Sequence, residues 1–359
     1  MPANNPFEPG LFSRLVSKPQ KIVILRASRI GDFLCAYPAL RALRQALPGA
    51  EISMITLPLL KDVTERSPYI DRFIAFPGYP GIAEQFFDAR HATEFFAQMQ
   101  LENFDLAIQM QGSGVYSNPF TLMLGARYTA GFIREGDGPG RLDAAVTWPQ
   151  HEHEIRRNLA LTSLLGATTV NEELEFPLQH EDCLEAEKLL QEAEPPLIGL
   201  HTSARDLTRR WFPESFIVTG RQLQQQYQGT LVLLGEAEDR AELDHLTAAF
   251  DGPVLNLAGK TSLVSLGAVL THLAVLVTND TGPAHIAYAL NTPVVTIFGA
   301  GDPALNGPIT PGPHRIMLHP VACRPCNLGT CPIGYQCLEG VTVTEVVKAA
   351  SELFRNHYL

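Results

Sequence analysis

Three stretches of this chain have residue types and spacing suited to handling anions and protons. In the first, Val277-Thr-Asn279-Asp280-Thr281-Gly282-Pro283-Ala-His285-Ile-Ala, a buried strand stops at a helix start. The apolar run Leu273 to Val277 gives way to polar residues, Thr281 and Gly282 can cap, Pro283 suits the first helical position, and Ile286, Ala287 and Leu290 continue an apolar face. Backbone N–H groups at such a start attract phosphate. The second, His201-Thr202-Ser203-Ala-Arg205-Asp-Leu-Thr-Arg209-Arg210-Trp211, offers two hydroxyls and guanidinium forks that suit phosphate oxygens. The third lies near the N-terminus, where the apolar strand Lys21-Ile-Val-Ile-Leu25 runs into the tight loop Arg26-Ala-Ser-Arg29-Ile-Gly31-Asp32. Asp32 then stands at a strand's carboxyl end, the edge at which open α/β sheets bind ligands.

Alternating strands and helices must position these groups. Apolar runs predict strands at Ile22 to Leu25, Ile52 to Thr56, Phe73 to Phe76, Leu106 to Gln109 and Tyr128 to Phe132, with a helix from Phe33 to Leu47. After a polar, proline-containing stretch from Ala167 to Gln179, a second series begins. Its strands are Leu197 to His201, Thr230 to Leu234, Val254 to Leu257, Ala274 to Val277, Val294 to Phe298 and Arg315 to Leu318. The expectation is an α/β protein of two doubly wound Rossmann-like domains. A loosely ordered lead-in covers 1–20, the first domain 21–175, and the second 176–340 with a cysteine-rich loop at 319–340. A helix within 341–359 is expected to pack back toward the first domain. Neither half carries G-x-G-x-x-G after a strand or G-x-x-x-x-G-K-[ST], so dehydrogenase and P-loop readings lose their main support.

Two motifs, R-x-x-R-I-G-D-x-L-x-x-x-P-A-L-R-x-L-R from Arg26 and N-D-T-G-P-A-H-I-A-x-A from Asn279, resemble glycosyltransferase family 9, the ADP-heptose:lipopolysaccharide heptosyltransferases. The resemblance runs from about Lys21 to the C-terminal helix. It implies a GT-B fold, with two Rossmann-like domains facing across a cleft, acceptor on the first and nucleotide-sugar donor on the second. It also implies inverting transfer of heptose from ADP-L-glycero-D-manno-heptose to a lipopolysaccharide inner core.

Inverting transfer needs a base for the acceptor hydroxyl and a means of stabilising the departing diphosphate. The resemblance assigns the base to Asp32, whose residue type and place equally suit a helix N-cap. Arg29 is assigned to the acceptor. Where the family usually has Lys two positions before the Trp, this chain has Arg209, which keeps the charge with different donor geometry; Arg210 is the alternative. Thr202, Ser203 and the amides and hydroxyl of Thr281 and Gly282 would meet the phosphates, with Asp280 orienting their loop and His285 one turn further in. For the adenosine, Glu238 would bind ribose hydroxyls and Lys260 would border the base, although Glu236 and Asp239 compete with Glu238 and a charged helix start explains the same residues. No D-x-D pair occurs, so a Mg²⁺ bridge is not signalled and no cofactor is expected in catalysis.

The 359 residues are 45% hydrophobic, enough for two cores. The formal net charge of −11 lies wholly in residues 151–359 and argues against nucleic acid as a partner. With no signal-peptide core and no run of eighteen apolar residues, the sequence reads as cytoplasmic, with peripheral contact at the inner membrane to reach a lipid-linked glycan. Four of the six cysteines form Cys323-x2-Cys326-x4-Cys331-x5-Cys337, a set that would suit structural Zn or Fe or else hold reduced thiols. Other nucleotide sugars, a protein acceptor, a sugar-nucleotide epimerase and a silent nucleotide- and metal-binding scaffold remain open alternatives.

Overall fold

The computed structural model describes residues 5–358, which divide into two compact units at Pro177/Leu178. In the first, β1 (Lys21–Leu25), β2 (Glu51–Thr56), β3 (Arg72–Ala75), β4 (Leu106–Gln109), β5 (Tyr128–Ile133) and β6 (Ala144–Thr147) form one parallel sheet in the order β3-β2-β1-β4-β5-β6. The second unit repeats the winding with β7 (Leu197–His201), β8 (Thr230–Leu234), β9 (Val254–Asn256), β10 (Leu273–Asn279), β11 (Val294–Phe298) and β12 (His314–Leu318), in the order β12-β11-β10-β7-β8-β9. Central strands such as β10 are buried along their whole length because helices cover both faces, which is why they read as continuous apolar runs. Each sheet reverses direction once, between β1 and β4 and between β7 and β10. Ligands bind at such switch points, outside the carboxyl ends of the strands.

The expected strands are all present, and β6 is an addition. Its sequence, Ala-Ala-Val-Thr, is short and small-chained, and it is recruited by register with β5, Ala130 facing Ala144. The expected helix from Phe33 to Leu47 is two helices, Ile30–Leu34 and Tyr37–Ala46. Pro38 explains the break, since inside a continuous helix its ring would meet the Leu34 carbonyl.

The structure bears on two of the boundary expectations. From residue 5 onward the lead-in is fastened to the first unit: Leu11 and Phe12 are buried, Gly10 N–H donates to Leu164 O at 2.8 Å, and Ala145 N–H donates to Pro6 O at 2.9 Å. The final helix, Val343–His357, belongs to the second unit's core. Its buried face, Val346, Ala349, Ala350, Leu353 and Phe354, packs with Trp211, Phe216 and Leu223, and the Phe354 ring stacks on Tyr227 at 3.8 Å. Phe354→Ala should therefore destabilise the second unit by about 3–5 kcal/mol. Denaturant unfolding followed by Trp211 fluorescence in a Trp148→Phe background measures this, and an unchanged midpoint would refute the packing.

Candidate functional site

In the second unit the switch point brings together the ends of β7 and β10. The Asn279 side chain ties them. Its Nδ2 donates to Thr202 O at 2.8 Å and Ser203 O at 3.3 Å, and its Oδ1 accepts the Trp211 N–H at 2.9 Å. Trp211 is itself buried against Phe216, with its indole N–H on Val341 O at 3.2 Å. The loop after β7 is thus held at both ends by one amide. Within it the Thr202 and Ser203 hydroxyls are buried with no hydrogen-bond partner among the described residues. Buried hydroxyls are usually paired in folded proteins, and these two, unlike the isolated Ser53 and Thr219, stand side by side at the carboxyl end of a central strand.

Beside them the helix Gly282–Leu290 starts at Thr281, in extended conformation and without a side-chain cap. Asp280 is buried, its backbone N–H on Ile297 O at 3.0 Å and its carboxylate 3.3 Å from Arg209 Nη1. Gly301 makes room for that carboxylate, since a Cβ there would lie 2.4 Å from Asp280 Oδ2. The two neighbouring arginines separate. Arg209 sits by Asp280 at the helix start, whereas Arg210 pairs with Glu242. A single 3₁₀ turn, Leu207–Arg209, sends consecutive side chains in different directions.

His201, not anticipated from the sequence, closes the strand end. Its Nδ1 lies 3.2 Å from Thr278 Oγ1 and 3.4 Å from Thr281 Oγ1. Burial foremost, with Arg210 adding and Asp239 opposing, pushes its pKa down to about 4. The ring is neutral near pH 7, so cationic charge at this helix start comes from Arg209. His285 is buried one turn along, edge-on to Tyr288 at 5.7 Å. After β8, Asp239 accepts the Glu236 N–H at 2.9 Å and Glu236 completes the reciprocal cap, so both carboxylates have structural tasks. Glu238 is exposed with no hydrogen bond among the described residues, as is the Lys260 side chain.

In the first unit Asp32 is exposed in the first turn of Ile30–Leu34. The N-cap position belongs to Arg29, so Asp32 is not the cap. Arg29 reaches outward to Glu84 at 3.1 Å. Beneath the loop lies a buried charged cluster that sequence reading missed. Arg26 pairs with Glu154 at 2.8 Å, and Glu154 pairs with Arg157 at 3.0 Å. Arg26 directly follows an apolar strand, which is a signal of burial, but nothing local links it to a carboxylate 128 residues away.

A structural metal on the four cysteines, one of the two readings of their spacing, finds no support among the described residues. Among the described residues no group of three or more His, Cys, Asp or Glu side chains is placed to hold an ion. The chain puts the thiols in unlike surroundings. Cys323 is exposed and Cys337 is buried in the core around the short helix Gln336–Glu339. Backbone N–H groups of Ile333 and Tyr335 pull the Cys331 thiol pKa down, whereas burial pushes that of Cys337 up.

Comparison with known proteins adds to this geometry. The family described as Glycosyltransferase family 9 (heptosyltransferase) matches residues 92–335. Lipopolysaccharide heptosyltransferase 3 of Escherichia coli K12 is 27% identical over 285 residues, 76% of this chain and 80% of that one. Among solved structures, a glycosyl transferase family 9 protein from Veillonella parvula superposes with a TM-score of 0.80 at 20% identity, covering 94% of this chain and 98% of the other. An Escherichia coli heptosyltransferase solved with ADP gives 0.68 at 18% identity, covering 93% and 99%.

The neutral His201 has a thermodynamic consequence. Its folded pKa of about 4 lies below the ordinary 6.5, so the unfolded chain takes up the proton first. The stability that keeping it neutral preserves is complete above pH 6.5 and is lost as pH falls toward 4, by up to about 3 kcal/mol. Urea unfolding across this window should show a steeper acid loss for the native chain than for His201→Gln; parallel curves would contradict the burial.

Proposed function

The chain belongs to glycosyltransferase family 9, and we propose that it transfers heptose from ADP-L-glycero-D-manno-heptose to a lipopolysaccharide inner-core acceptor with inversion at the anomeric carbon. It is a glycosyltransferase built from two Rossmann-like units of the GT-B kind. The choice of sugar and acceptor draws on relatives bearing lipopolysaccharide heptosyltransferase names, and the choice of nucleotide on the neighbour solved with ADP. The observation that carries the reading is the pair of unpartnered hydroxyls, Thr202 and Ser203, beside an uncapped helix start and the Arg209 guanidinium.

In this reading the diphosphate lies on that helix start. Thr202, Ser203 and the Gly282 amide donate to its oxygens, Thr281 adds a hydroxyl, and Arg209 answers the charge that grows as the sugar leaves. Arg210, occupied by Glu242, contributes at longer range. Asp280 holds Arg209 and the turn, His285 borders the sugar or phosphate, Glu238 takes the ribose hydroxyls, and Lys260 flanks the base. On the first unit Asp32 accepts the acceptor hydroxyl's proton, the alkoxide oxygen bonds to the anomeric carbon, and the bond from that carbon to the diphosphate oxygen breaks, leaving ADP. Arg29 meets the acceptor. No helix among the described residues is long and apolar enough to cross a membrane, so the lipid-linked acceptor would be engaged at the membrane surface.

Calorimetric titration with ADP, UDP and GDP, without divalent metal, tests the donor assignment. ADP should bind selectively, and Arg209→Ala should weaken it about tenfold or more. Preference for UDP or GDP would overturn the heptose assignment. Asp32→Asn should keep ADP affinity while transfer falls by about 10²–10⁴-fold; retained transfer would remove Asp32 from the role of base.

A further inference from the structure

We propose that Arg26, fixed by Glu154, is a positioning residue that holds Asp32 at the switch point of the first unit and keeps its carboxylate ionised for proton transfer. The inference rests on the reading of Asp32 as the base.

Arg26 directly follows β1 and is 2% exposed. Its main chain is locked into the sheet edge, N–H on Ile55 O at 2.9 Å and carbonyl accepting the Thr56 hydroxyl at 2.7 Å. Its guanidinium spans the switch point. Nη1 donates to the carbonyl of Met110, just past β4, and Nη2 donates both to the carbonyl of Asp32 and to Glu154 Oε1. The short helix bearing Asp32 is therefore attached to the ends of both strands flanking the crevice through one rigid planar group. A lysine, with a single ammonium on a flexible stem, does not present this fork.

Glu154 aims that fork. Its first oxygen takes Arg26 at 2.8 Å and its second takes Arg157 Nη1 at 3.0 Å. Arg157 is held in turn by Pro149 O at 2.9 Å and Gln150 O at 2.6 Å, with its guanidinium 4.7 Å over the Trp148 ring. Asn158 Nδ2 links the same helix to Glu154 O at 2.8 Å and to Cys35 O at 3.4 Å, at the far end of the Asp32 helix. This set of two cations and one anion is almost wholly buried. Apolar side chains of similar volume would serve stability as well or better, so the set is not explained by core filling. What it supplies beyond apolar packing is an oriented fork and a net positive charge under Asp32.

Arg26, just past β1, and the Cys35 thiol, at the end of the Asp32 helix, both feel the Asp32 charge, and both also feel Glu154 from the helix Glu154–Leu165. Burial works against the Arg26 charge, but Glu154 and then Asp32 outweigh it, so the guanidinium stays protonated. The Cys35 thiol is pushed up by burial and then by Asp32 and Glu154, so it stays neutral.

The test uses the full chain and follows transfer from ADP-heptose to a lipid-linked inner-core acceptor as a function of pH, with ADP calorimetry as the measure of an intact second unit and circular dichroism as the measure of folding. Arg26→Lys keeps the charge and loses the fork. It should lower kcat about 100-fold, leave the donor KM unchanged, and leave the acid limb of the kcat profile in place. Arg26→Met removes the charge and should move that limb to higher pH, whereas Glu154→Gln keeps an amide partner for Arg26 and should move it to lower pH. Opposite movements are not expected of a merely structural cluster. If Arg26→Met does not fold, Arg26→Lys and Glu154→Gln carry the test. Should Asp32→Asn abolish transfer while Arg26→Lys and Glu154→Gln leave kcat and its acid limb as in the native chain, the positioning role is overturned and the base remains. Should Asp32→Asn itself retain transfer, the base reading fails, and this role with it.

Discussion

Where a parallel sheet reverses its winding, the loops leaving two adjacent strands diverge, and their backbone groups lose the ladder partners that the strands had. A buried group at the fork must supply replacements, because unpaired backbone polar groups are costly away from water. Both units meet this constraint with one side chain at a strand end. In the first it is Arg26, which serves the carbonyls of Met110 and Asp32. In the second it is Asn279, which serves the carbonyls of Thr202 and Ser203 and accepts the Trp211 N–H. The surrounding loops have definite shapes because these two groups have few ways to satisfy all their partners together.

The two solutions differ in charge, and the difference suits what each fork faces. Arg26 needs a carboxylate to remain buried, and Glu154 needs Arg157 in turn, so the first fork carries a chain of ions into the core. The short helix above it bears Asp32, for which a cation underneath is favourable. Asn279 is neutral, as is the buried His201 next to it. The second fork therefore adds no fixed charge of its own, and Arg209 and the helix amides set the local field. An amide also has both a donor and an acceptor, which this fork requires, since it joins two carbonyls and one N–H.

The pattern of strands was legible because parallel, doubly covered strands read as apolar runs with polar ends, and their carboxyl ends pointed to Asp32, Thr202 and Thr281. Strand β6 was not legible, since Ala144-Ala-Val-Thr has too little apolar bulk to stand out and takes its identity from β5. Nor was the break before Tyr37, although Pro38 was visible, because a proline near a helix start and one inside a helix look alike until the start is known. In the second unit, the separation of Arg209 from Arg210 depends on a 3₁₀ turn that no local pattern announces. The assignment of Asp239 and Glu236 to a reciprocal cap was likewise a matter of geometry. Pairings such as Arg26 with Glu154, and the final helix with Trp211, join distant parts of the chain and become visible only when the sheets are assembled.

The cysteine-rich segment shows how a conspicuous composition can mislead about the group that matters. Its backbone and one arginine, more than its thiols, bear on the turn at Asp280. Thr208 Oγ1 donates to Leu328 O, Ala300 N–H donates to Thr208 O at 3.0 Å, Cys326 N–H donates to Ala300 O at 3.2 Å, and Arg324 Nη2 donates to Gly301 O at 2.8 Å. Gly301 is the residue that leaves room for the Asp280 carboxylate. The segment thus braces the strand exit behind Asp280, and Asp280 orients Arg209. Bracing of this kind requires the loop to return to one place, and these hydrogen bonds hold it there. Arg324 is the side chain of this segment that reaches the wall behind Asp280, through Gly301 O.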